Sequence, residues 1–65
     1  MEIFIIEKWA VMDKGQRYHV DTYEEGDSGT FNYVDGPDNE ALNAAIAAGQ
    51  SVDRWEDRQV GSYYA

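Results

Sequence analysis

Hydrophobic and polar positions alternate with different periods along this chain, and the changes of period mark its elements. Residues 2–12 (Glu-Ile-Phe-Ile-Ile-Glu-Lys-Trp-Ala-Val-Met) are β-branched and aromatic, which favours a strand. Alternation sets Ile3, Ile5, Trp9 and Val11 on one side and Phe4, Ile6, Ala10 and Met12 on the other. A strand apolar on both sides belongs at the centre of a sheet, or between a helix and a cover of aromatics. Asp13-Lys14-Gly15-Gln16 reads as a turn, with Gly15 free to take the positive φ a hairpin needs. Residues 17–24 alternate as a second strand, with Tyr18, Val20 and Thr22 against Arg17, His19, Asp21 and Tyr23. Glu25-Gly-Asp-Ser-Gly29 is a second turn, and residues 30–34 make a short aromatic third strand.

At residue 35 the period changes. Asp35-Gly36-Pro37-Asp38-Asn39-Glu40 has the composition of a helix start: Pro37 suits the first helical position, and acids complement the helix dipole there. The helix runs to about Ala48 with a small-residue face of Ala41, Leu42, Ala45, Ile46 and Ala48, able to lie close to a sheet. Gly49 is its expected left-handed cap. Residues 51–60 fit a fourth strand, which we favour, or a second helix capped by Ser51; so short a run is not settled by periodicity. The expectation is one α+β domain over residues 1–65: an antiparallel sheet of three to four strands in β-β-β-α-β order, with one helix packed on a face.

Size and composition sharpen this picture. A chain of 65 residues buries a small core, and with no cysteine it has neither disulfides nor thiolate zinc to help. Aromatics, at 14%, supply the buried area instead. The apolar run Ile3–Ile6 is too short to span a membrane or to serve as a signal-peptide core, and Glu2 stands where such a peptide carries positive charge. A cytosolic location is expected, in keeping with the absence of cysteine.

Charge changes the picture most. The 36 residues from Tyr18 to Asp53 contain no lysine or arginine, and residues 21–40 hold seven acids (Asp21, Glu24, Glu25, Asp27, Asp35, Asp38 and Glu40). Nearly all of the net charge of −8 resides there. A block of one sign governs steering and association rather than fold. Direct binding of nucleic acid is disfavoured, because phosphate contact relies on Lys and Arg and the chain has five such residues in all.

Catalytic and metal chemistry find little support. His19 is the single histidine, and no nucleophile motif surrounds Ser28, Ser51 or Ser62. Neither acidic turn follows the spacing of a calcium loop, and zinc wants more nitrogen or sulfur ligands than the chain offers. Paired carboxylates acting on a glycoside would need a desolvating cleft that so small a domain seldom builds. The expectation is a protein that is not an enzyme and uses no cofactor and no metal.

Acids at alternate strand positions lie ~6.6–6.8 Å apart on one face, comparable with successive phosphates along a nucleic-acid strand. Brought together, they would form a phosphate-like ridge able to occupy the basic channel of a nucleic-acid-binding protein. The plainer reading is an acidic domain kept soluble by its charge. In size, acidity, absence of cysteine and α+β order, the chain resembles the small phage-encoded inhibitors of bacterial defence, above all the acidic anti-CRISPR proteins that act on type I interference complexes. That resemblance implies a DNA mimic working as a stoichiometric inhibitor in the host bacterial cytosol; it assigns no residue. The partner-binding candidates, chosen by charge clustering and aromatic anchoring, are Asp21, Glu24, Glu25, Asp27, Asp35, Asp38, Glu40, Tyr23 and Tyr33. The expected partner is a basic nucleic-acid-binding protein or ribonucleoprotein, met by a monomer or weak dimer, with no nucleic acid bound directly and no membrane. The alternative is a structural or adaptor subunit docking through aromatics, either Tyr63 and Tyr64 or Trp9 and Trp55, with the acids serving solubility.

Overall fold

The computed structural model describes residues 1–29, 31–35 and 39–65; of these, Phe31 and Asp35 are described by backbone alone. Its elements run β1 (Glu2–Met12), β2 (Arg17–Gly26), β3 (Phe31–Asp35), α1 (Glu40–Ala47) and β4 (Val52–Tyr64), the expected β-β-β-α-β order. The four strands form one antiparallel sheet in the order β3-β2-β1-β4. Strand β1 thus lies between β2 and β4, where a strand apolar on both sides belongs. Residues 51–60 resolve to strand from Val52 onward, and β4 continues past them to Tyr64. β2 likewise runs two residues beyond its expected end, through Glu25 to Gly26, which shortens the second turn.

The sequence-based alternation of β2 needs one correction. Lys8 pairs with Asp21 while the next residue, Trp9, pairs with His19, so Val20 is an extra residue on β2. Such a bulge inverts the alternation beyond it. Thr22 therefore joins Arg17 and His19 on one face, while Asp21 and Tyr23 join Tyr18 on the other. Packing agrees with this assignment: His19 touches the Trp9 ring edge-on at 5.4 Å between centroids, and its Nε2 lies 2.8 Å from the Thr22 hydroxyl.

The helix covers only one end of the sheet. Ala10, Met12, Val20, Leu42 and Ala45 form the buried core, flanked by Tyr18 and Val52. Ala45 and Leu42 are the helix residues that face it. Gly49, at φ +96°, closes the helix in the left-handed conformation: its N–H bonds to the Ile46 carbonyl and the Gln50 N–H to the Ala45 carbonyl, the paired bonds of a Schellman motif. Asn39 precedes the first helical residue without a side-chain cap, and Glu40 is the acid in the first turn. The expected role of Pro37 falls outside the described residues.

Candidate functional site

Paired residues in an antiparallel sheet project to the same side, so strand register sorts the charged side chains. The helix-side face carries, row by row across β2, β1 and β4, Glu25–Phe4–Ser62, Tyr23–Ile6–Gln59 and Asp21–Lys8–Asp57, with the helix beginning at the next row, Tyr18–Ala10–Trp55. Tyr33 extends the Tyr23 row onto β3. Glu2, at the far end of β1, alternates onto this face too. The outer face carries Glu24, Glu7 and Glu56 together with Arg17, Arg54 and Arg58.

The two faces differ sharply in charge. Among the described outer-face side chains acids and bases balance, and several are paired: Arg17 Nη2 lies 2.7 Å from Glu56 Oε1, and Arg54 lies 3.2 Å from Asp53 and 3.9 Å from Glu56. The Arg17–Glu56 approach is off the N–H axis, so it is an ion pair rather than a good hydrogen bond, and half-exposed pairs of this kind add little stability. On the helix-side face Glu2, Asp21, Glu25 and Asp57 meet a single base, Lys8. Lys8 sits between Asp21 and Asp57 in its row, and its Nζ lies 5.6 Å from the centroid of the Trp55 ring in a cation–π contact.

Beyond the end of the helix, this face opens into a cleft of about 290 Å³ lined by Lys8, Asp21, Tyr23 and Tyr33. Asp21 is 8% exposed, and its Oδ1 is buried with no hydrogen-bond partner. Tyr33 stands at the opposite extreme, 66% exposed. Between them, the Tyr23 hydroxyl is held above its ordinary pKa of 10.0, first by burial and then by the negative charge of Asp57, Glu25 and Asp21, with a contribution from Tyr33. The acids that add to this shift also make the cleft attractive to cations.

The nine sequence-predicted residues do not form one ridge. Asp21, Glu25, Tyr23 and Tyr33 come together on the helix-side face. Glu24 projects from the outer face, where its carboxylate accepts a hydrogen bond from the Tyr63 hydroxyl; that bond, more than burial or the charge of Glu24, raises the Tyr63 pKa. Asp27 lies in the β2–β3 turn and Glu40 at the helix start, both exposed. Asp35 is placed by its backbone alone, opposite Thr22, and Asp38 lies outside the described residues. The reason acids adjacent in sequence separate is the strand itself: Glu24 and Glu25 must point oppositely. Lys8 and Asp57 were missed as site residues, because only the pairing of β1 with β2 and with β4 brings them into the row of Asp21.

The aromatic pairs of the adaptor reading also divide. Trp9 and Tyr63 lie on the outer face, whereas Trp55 and Tyr64 lie on the helix side. Among the described residues no cluster of three or more acids and histidines is arranged to hold a metal ion, and no helix is long and apolar enough to cross a membrane. No family model matches the chain, and no curated protein or solved structure is significantly similar to it.

Proposed function

We propose that this protein is a non-catalytic binding domain whose helix-side face docks onto the basic surface of a nucleic-acid-binding protein, and that it acts as a stoichiometric inhibitor by occupying the place of nucleic acid. The observation that carries this reading is the partition of charge between the faces. Among the described side chains, four acids against one lysine engaged with Trp55 sit on the helix-side face, while those of the outer face balance. A charge excess used only for solubility has no reason to be one-sided. Acids concentrated on one face steer encounter with a basic partner and reject acidic ones. The exposed rings of Tyr33 and Trp55 beside them are the kind of side chain that anchors interfaces. A type I CRISPR interference complex has the required basic nucleic-acid channel and is the target class that the resemblance in size and acidity brings forward.

The test is capture from bacterial lysate on immobilised protein, with elution by a salt gradient and a parallel elution by duplex DNA. The expected result is one basic nucleic-acid-binding protein or complex, released by moderate salt and displaced by DNA. Captured proteins that ignore both salt and DNA would reject the mimic and favour docking through aromatic contacts.

A further inference from the structure

We infer that the cleft between Tyr23, Tyr33 and Asp21 is a receptor for an arginine side chain, supplied by the basic partner. This rests on the proposed function for the source of the arginine, though not for the cleft's chemistry. Asp21 provides the first observation. A carboxylate more than nine-tenths buried is normally paired, because leaving it unmatched is costly. Here Oδ1 has no partner, and the nearest base across the strand pair, Lys8, has its ammonium over Trp55. The fold buries this carboxyl oxygen without a hydrogen-bond partner, and Lys8, though it lines the same cleft, forms no ion pair with it.

The walls provide the second observation. Tyr23 and Tyr33 are directly opposed across β2 and β3, so their rings rise side by side from one face beside the carboxylate. A planar guanidinium fits such a place in two ways: it stacks on aromatic faces and gives forked hydrogen bonds to a carboxylate. An ammonium is more strongly hydrated and has no plane to stack, so lysine is the poorer occupant. Glu25 and Asp57, one row to either side and across the sheet, keep the surroundings negative despite Lys8. The cleft is larger than a guanidinium needs, leaving room for the aliphatic stem.

The experiment needs no knowledge of the partner. Isotope-labelled protein is titrated with N-acetyl-arginine amide, and separately with N-acetyl-lysine amide, and backbone amide shifts are followed by NMR. Saturable shifts centred on Lys8, Asp21, Tyr23 and Tyr33, with arginine preferred, are expected. Asp21→Asn, which keeps the side-chain shape, should weaken arginine binding by about tenfold, the equivalent of about 1.4 kcal/mol. Tyr33→Ala alters an exposed side chain with little risk to the fold and should weaken binding while leaving the spectrum otherwise intact. Equal response to lysine, shifts spread over the outer-face acids Glu7 and Glu24, or an Asp21→Asn variant that binds as wild type would each overturn the assignment. Arginine binding in the cleft without any DNA-displaceable partner in lysate would keep the receptor and reject the inhibitor; the reverse pair of results would do the opposite.

Discussion

Single residues reveal what this fold has accepted for the sake of its surface. Asp21 is buried without a partner for Oδ1, and such groups cost ~1–3 kcal/mol. Asp21→Asn should therefore leave stability unchanged or raise it by about 1 kcal/mol, read by urea denaturation, even as it removes the anion from the cleft. A clear loss of stability would mean that Asp21 supports the fold. The tyrosines give a second prediction. Tyr23 and Tyr63 both have pKa values raised above 10.0, Tyr23 chiefly by burial and Tyr63 chiefly by its bond to Glu24. A group whose folded pKa is raised stabilises the fold fully below its unfolded pKa, and that contribution is lost as pH climbs through the folded value. Stability should thus hold up to about pH 10 and decline above it from this source. Phenolate absorbance should show Tyr23→Phe and Tyr63→Phe each removing a late-ionising group. If the removed groups ionise with the other tyrosines, the assigned environments are wrong.

At the scale of elements, much of the architecture was legible in the chain and much of the site was not. Dense β-branched residues in β1, Gly15 in its turn, the alanine-rich helix and Gly49 at its end act locally, and local signals survive in a sequence. The Val20 bulge does not announce itself: valine is an ordinary strand residue, and only pairing with β1 shows that one residue is supernumerary. Yet that bulge decides which face Asp21 and Tyr23 occupy. Asp57 was hidden for a similar reason, since it is more than thirty residues from Asp21 and joins its row only through β1. Strand β4 is a long edge, a natural template for unwanted pairing, and its Asp53, Arg54, Glu56, Asp57 and Arg58 guard it with charge. The helix is short and relies on packing, so Leu42→Ala, at a side chain 5% exposed, should cost ~2–4 kcal/mol in urea denaturation. Gly49→Ala should cost ~1 kcal/mol, because alanine tolerates the left-handed cap poorly. Neutral outcomes at both sites would show that α1 contributes little to holding the core.

At the scale of the whole molecule, net charge and core size pull against each other. A 65-residue chain carrying −8 has a thin margin and substantial self-repulsion. Screening should help it, so the melting temperature should rise as salt is increased from very low to physiological concentration. Binding should move the other way, weakening with salt mainly through slower association. These opposite salt responses separate the fold's electrostatics from those of the face.

The central claim is that one face binds, and paired charge reversals test it most directly. Glu25→Lys with Asp57→Lys alters the helix-side face; Glu7→Lys with Glu24→Lys alters the outer face by the same amount of charge. Retention of the DNA-displaceable partner from lysate is then compared at matched salt, after circular dichroism has shown both variants folded. The account predicts that the helix-side pair abolishes retention and the outer pair largely preserves it. Equal loss from both pairs would mean that net charge alone draws the partner, and loss from the outer pair only would place the binding surface on the other side of the sheet.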